Sequence, residues 1–251
     1  MPEIVHLLGN SVQPRKSMPE PLKIKPPHWN KSFLLKFIIL FLPWPLRRWL
    51  LQRAFGYQID PSARIGLAWV YPKNLHMGKQ TRIGHFTVAI HLDSIVMGDY
   101  ATIGRSNWIT GYPSDSDTHF AHQKDRIPRL VLGEHSAITK SHHVDCTNEI
   151  RVGRFSSVAG YQSQLMTHAI DIVSGRQHSE PIEIGDFCFV STRCIILGGA
   201  RLPSQSMLAA GAVLTKKFDQ SFSLYGGVPA RFLKEIPKDA KYFHRQTGFI
   251  N

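Results

Sequence analysis

An aliphatic residue at every sixth position is the feature that most narrows what this chain can become. From Ile184 the beat runs through Val190, Ile196, Leu202, Leu208 and Leu214. Upstream it takes in Leu132, Val144 and Ile150, slips by two residues, and resumes at Val152 and Val158. A six-residue period does not fit the 3.6-residue turn of an amphipathic helix. In a strand, residues two apart share a face. The fifth residue of one hexad and the first of the next therefore point the same way, as in Ala63 with Ile65, Thr81 with Ile83, Cys188 with Val190 and Ala212 with Leu214. Each hexad predicts one short strand that buries a small and an aliphatic side chain before a corner. Glycines beside the anchors (Gly66, Gly78, Gly84, Gly104, Gly153, Gly185) suit a tightly turning backbone. Repeats this short bury a continuous core only by stacking, so the chain predicts an all-β solenoid between about Ile59 and Leu214.

The beat divides the chain. Residues 1–32 form a Pro-rich arm, and 33–56 an apolar-basic helical segment. Residues 57–216 make up the solenoid, with loops at 112–130 and 165–181, and 217–251 supply a last strand and a short helical tail. The net charge of +12 sits at the two ends. Residues 1–53 carry nine Lys/Arg against two Glu, residues 214–251 seven Lys/Arg against three acids, and the middle is nearly neutral. A nucleic-acid binder spreads basic residues over its reading surface. This distribution argues against nucleic acid and for two separate anionic partners.

One of those partners concerns the stretch FLLKFIILFLPWPLRRWLLQR. It contains Lys36 and is broken by Pro43 and Pro45, too short for the ~20 apolar residues of a spanning helix. The arm before it has no signal-peptide pattern. Its apolar body, its tryptophans and Arg47, Arg48 and Arg53 fit either an anionic membrane surface or packing against the main domain or a second subunit. Three cysteines, with Cys188 and Cys194 in buried-type positions and no zinc-type spacing, favour a reducing compartment. The expected location is cytoplasmic, peripheral at the inner face of the cell membrane.

The beat lapses between Val158 and Ile184, and the gap presents His168, Asp171, Arg176 and His178. Loops on a rigid scaffold are where chemistry usually sits. A second cluster, His142, His143 and Asp145, lies about one coil earlier, so stacking could bring it near the gap. His142 falls on an inward slot. Structural support is open for it, as are acceptor binding and partnership with His168, while Arg176, His178, His119 and His122 are either acceptor contacts or solvated loop residues. Asp171 could orient the loop or the imidazole, or serve as an ordinary loop carboxylate.

The hexads, the motif Thr167-His168-Ala169-Ile170-Asp171, and the segments LAAGAVLTKKF and GGVPARFLKEI together resemble the hexapeptide-repeat acyltransferases, sugar and polysaccharide O-acetyltransferases in particular. The likeness covers roughly residues 57–235. It implies a left-handed parallel β-helix, a homotrimer, and transfer of acetyl from acetyl-CoA to a hydroxyl of a sugar or glycan precursor. It implies His168 as general base, since an imidazole with a pKa near about 6.5 can take the hydroxyl proton at neutral pH without an acyl-enzyme. By position it implies Thr192, Ala210 and Gly211 along the pantetheine arm, and Thr215, Lys216, Lys217 and Arg231 toward the nucleotide phosphates. The zinc-binding carbonic anhydrases of this fold place two histidines five residues apart. No pair here has that spacing, so no metal is expected. Rival functions are N-acetylation of an amino-sugar nucleotide or an antibiotic, and a noncatalytic membrane-associated scaffold.

Overall fold

The computed structural model describes residues 31–248. Its body is a three-sided solenoid of parallel strands. The first face stacks Gln58–Ile59, Asn74–Met77, Ser94–Met97, Arg129–Leu132, Ile150–Val152, Ile182–Ile184 and Arg201–Leu202. The second runs from Arg64–Ile65 to Met207–Leu208, and the third from Trp69–Tyr71 to Val213–Leu214. Strands of one face are a full coil apart in sequence. Gln58 pairs with His76, and Glu183 with Arg201, each eighteen residues or three hexads on.

The interior follows the two-apart rule. Ile65, Ile83, Ile103, Ile138, Val158, Val190 and Leu208 fill one inner edge, with Ala63, Thr81, Ala101, Ser136, Ser156, Cys188 and Ser206 at the adjacent corner, all buried. The two-residue slip after Ile150 also has a cause. First-face strands turn two aliphatic residues inward, as Leu130 with Leu132, Ile150 with Val152 and Ile182 with Ile184 do.

The glycines beside the anchors serve another purpose than the one expected. None of the six has a positive φ. The left-handed residue comes two positions later, at Gln80, Phe86, Ser106, Phe155 and Phe187. What excludes a side chain is the next coil, since a Cβ on Gly104 would collide with the Thr139 carbonyl. Stacking distance, rather than φ, demands glycine there.

Two helices cap the first coil. α1 spans Lys31–Leu40 and α2 Trp44–Phe55. Leu51 and Ile39 enter the core, and the buried Arg47 guanidinium donates to the carbonyls of Gly66 at 2.7 Å and Ala68 at 2.8 Å. α2 ends on Gly56 in the left-handed conformation, the usual helix stop. The Pro-rich arm of residues 1–32 lies almost wholly outside the described residues.

At the other end the expected helical tail does not form among the described residues. Ser223–Gly226 adds to the second face, and Arg231–Glu235 returns antiparallel beside it. Only one 3₁₀ turn, Lys241–His244, follows. A stack of parallel strands ends on an edge with unpaired backbone groups, and the returning strand covers it on this face.

Candidate active site at one corner of the solenoid

Both interruptions of the beat leave from the same corner, between the third and first faces, two coils apart. The first spans 111–128, because Arg129 already pairs with Ser94. The second is a β-hairpin of His168–Asp171 and Arg176–Ser179. The 165–181 loop read from the sequence therefore begins too early. Leu165 points inward and pairs with Val144 and Ile196. One extra residue at the preceding corner, where Gly160 takes a φ of 71°, hides this from a count of six. Between the two excursions lies the tight corner that follows His143–Asp145. Both fold over it, and Asp145 is buried beneath them.

Asp145 is the hub. Its Oδ2 accepts from His168 Nδ1 at 2.8 Å, from the backbone N–H groups of Thr167 and His168 at 3.1 Å each, and lies 2.9 Å from the Thr167 hydroxyl. Its Oδ1 accepts from Thr147 Oγ1 at 2.7 Å. Burial acts to raise the Asp145 carboxyl, but hydrogen bonds from His168, Thr147 and Thr167 and the charge of His168 outweigh it and hold the group below its ordinary range. The carboxylate is therefore ionised and can only accept, so His168 carries its proton on Nδ1. Nε2 keeps its lone pair, and nothing among the described residues bonds it. The Asp145 hydrogen bond raises the His168 pKa above its usual value against partial desolvation.

The loop of 111–128 supplies walls of which the sequence pointed only to His119. The His168 ring meets Tyr112 and Phe120 edge to face, each with centroids 6.0 Å apart. His119 lies against Tyr112 at 4.3 Å, and its Nδ1 is 3.0 Å from Gln177 Nε2 on the hairpin. Gln123 takes the Ser179 backbone N–H at 3.0 Å and returns its amide to the Ser179 carbonyl at 2.6 Å. Buried Arg126 ties the loop to the hub's coil through the carbonyls of Tyr112, Pro113 and Thr147, with Phe120 stacked on its guanidinium at 4.9 Å. The signal for these residues was the length of the break in the beat. Which of its side chains turn inward is decided by the coils they meet.

The other sequence candidates separate. His143 is exposed on the third face, two residues before Asp145. His142 is fully buried at the opposite corner of that face. Its Nδ1 accepts from Ser163 N–H at 3.1 Å, and its Nε2 lies 3.0 Å from Thr139 Oγ1, which itself donates to Gly160 O. Burial and neighbouring His143 push its pKa down to about 4, so it is a neutral, satisfied core group. Asp171 closes the hairpin turn by accepting from Val173 N–H at 2.9 Å and Ser174 Oγ at 2.7 Å. It does not orient the imidazole. Arg176 is paired opposite it in the ladder and exposed. His178 is exposed, 3.5 Å from Glu180.

The C-terminal candidates fall at two corners. Thr192, Ala210, Gly211 and Arg231 gather between the second and third faces. There the Thr192 hydroxyl bonds Tyr161 O at 3.0 Å and Gly211 takes a φ of 71°. Thr215, Lys216 and Lys217 are exposed at the far end of the strand Val213–Leu214, on the corner from which the His168 hairpin departs. Among the described residues no group of three His, Cys, Asp or Glu side chains is placed to hold a metal ion. The three cysteines are free and buried.

No family model matches the chain. Over 155 residues it is 22% identical to the galactoside O-acetyltransferase of Escherichia coli (strain K12), which covers 61% of this chain and 72% of that protein. With the repeat, this decides the resemblance. The chain is similar to the hexapeptide-repeat acyltransferases. Among solved structures, a hexapeptide-repeat acetyltransferase of Vibrio cholerae complexed with acetyl coenzyme A is 18% identical, covering 82% of this chain and 86% of its own, with a TM-score of 0.37. An N-acyltransferase from Bacillus cereus, in complex with dTDP-4-amino-4,6-dideoxyglucose and coenzyme A, is 12% identical over 79% of this chain and 93% of its own, with a TM-score of 0.49.

Proposed function

We propose that the protein is an O-acetyltransferase that moves acetyl from acetyl-CoA to a hydroxyl of a sugar or glycan precursor. The observation that carries this reading is the free Nε2 of His168, held by the Asp145 carboxylate on Nδ1 at the one corner where both excursions meet. In this reading Nε2 takes the acceptor hydroxyl proton as its oxygen bonds to the thioester carbonyl carbon. The imidazolium that forms is stabilised by ionised Asp145. As the carbon–sulfur bond breaks, the thiolate recovers the proton, leaving an acetyl ester and free CoA thiol. No acyl-enzyme is needed, and the buried thiols of Cys146, Cys188 and Cys194, all raised by desolvation, are poor nucleophiles.

The Tyr112 ring beside His168, with His119 packed against it, suits a pyranose acceptor. Thr192, Ala210, Gly211 and Arg231 hold one end of the donor in this proposal, and Thr215, Lys216 and Lys217 the other. Their split between two corners supports a donor bound between neighbouring copies, hence a homotrimer, with the left-handed winding that the resemblance implies. Free cysteines and a CoA donor suit the cytoplasm.

The test is incubation with labelled acetyl-CoA and a panel of hydroxyl sugars, amino sugars and glycan fractions, reading thiol release and the position of label. Label on oxygen supports the reading, while label only on amino nitrogen makes the enzyme an N-acetyltransferase. Thiol release from no acceptor, with no CoA binding, would leave a scaffold. A stable, active monomer by mass measurement would remove the shared donor site.

A further inference from the structure

From the cap at the start of the solenoid, we infer that α1 and the exposed face of α2 seat the protein on an anionic lipid surface. The cap is firmly docked. Ile39 and Leu51 are buried, Arg47 is tied to Gly66 and Ala68, Tyr71 Oη donates to the Lys36 carbonyl at 2.9 Å, and the Phe33 ring lies 5.4 Å from Trp69. Docking a helix on a core requires one apolar stripe. α1 has that stripe and much more. Phe33, Leu34, Leu35, Phe37 and Ile38, with Phe41 just beyond, are all exposed, and Leu46 and Trp49 of α2 join them. At 3.6 residues per turn the exposed apolar arc of α1 spans roughly 200°. Phe41 is 62% exposed and Leu34 63%. Contiguous apolar surface of this kind marks an interaction site.

Charge decides the occupant. Between Glu20 and Asp60 the chain has no acidic residue, while α2 carries Arg48 and the exposed Arg53, and the Lys36 ammonium of α1 sits over the Phe55 and Tyr71 rings. A second copy docked here would bring the same cations and no acidic residue of this segment to pair them. A phase of anionic lipid accepts a wide apolar arc and satisfies the cations at its headgroups. No described helix is long and apolar enough to cross a membrane, and α1, of ten residues, fits a segment lying in the interface, with Trp49 at headgroup depth. This inference is independent of the chemistry proposed at His168.

The test is flotation of the full chain with vesicles of phosphatidylcholine alone or with about one-third phosphatidylglycerol. The intact chain is expected to float with the anionic vesicles and to lose binding as salt rises, because exposed charges are screened. Replacing Leu34, Phe37, Phe41 and Trp49 by Ser should cut binding at least tenfold, with the melting temperature and oligomeric mass unchanged. The pair Arg48→Glu and Arg53→Glu should abolish the preference for anionic lipid. An intact chain that stays unbound at low salt overturns the proposal, as does a serine variant that floats equally well. A serine variant that falls apart as an oligomer while keeping vesicle binding would make this face a contact between copies instead.

Discussion

His142 and His168 lie at opposite corners of the same solenoid face, in adjacent coils, and the molecule uses them in opposite ways. His142 replaces the small residue that other coils place at its corner, such as Thr87, Asn107, Ser163 and Cys194. There both ring nitrogens are engaged, and burial keeps the ring neutral. His168 stands where the chain leaves the solenoid, with one nitrogen on a carboxylate and the other open. The difference teaches that partners and solvent, rather than residue type, decide which imidazole can exchange a proton near neutral pH.

The largest effect should come from His168→Ala. Turnover is expected to fall by about 10² to 10⁴, with CoA binding and melting temperature near wild type. His168→Asn should do no better, because an amide cannot accept the proton. If steady-state assays show that His168→Ala retains most turnover while His142→Ala or His143→Ala loses it, the comparison is inverted.

Asp145→Asn should come next, with turnover reduced by about 10- to 10³-fold. Its sharper signature is the pH profile. Turnover needs neutral His168, so in the wild type it should rise with pH through a value above about 6.5. Without the carboxylate that raises the imidazole, the midpoint should move down. An unmoved midpoint would mean that Asp145 only holds the loop.

His142→Ala should act on stability instead, costing about 2–4 kcal/mol through a cavity and lost hydrogen bonds, with turnover little changed in the folded protein. The pH dependence follows from a folded pKa of about 4 against about 6.5 unfolded. Between those values the unfolded state binds more protons, so stability is fully present above the upper one and is lost as pH falls toward the lower. Wild type should lose roughly 3 kcal/mol from this group alone across the window, and denaturant titrations of the variant should show a flatter slope. The raised His168 has the opposite sign. Its contribution is present below the unfolded pKa and is lost as pH rises through the folded value.

Asp171→Ala should be mildest, with turnover within about threefold of wild type, since it removes only turn contacts at an exposed hairpin tip. A loss as large as that of Asp145→Asn, measured under the same conditions, would show that hairpin tip and imidazole act as one unit.

The sequence by itself determined the solenoid, because one repeat with one inward aliphatic residue has few ways to bury it. It also located both excursions to within a few residues and singled out His168. Assigning Asp145 to that imidazole, rather than nearby Asp171, was beyond it. The two carboxylates are equally plausible along the chain, and only the coil stack, which brings strand His143–Asp145 beside Gln164–Met166, separates them. The same holds for Tyr112, Phe120 and Arg126, more than 40 residues before His168, and for the split of the donor candidates between two corners. Periodicity reports which way a side chain faces within its own strand. Its neighbours in the coils above and below depend on where every corner gains or loses a residue, and the folded stack alone settles that.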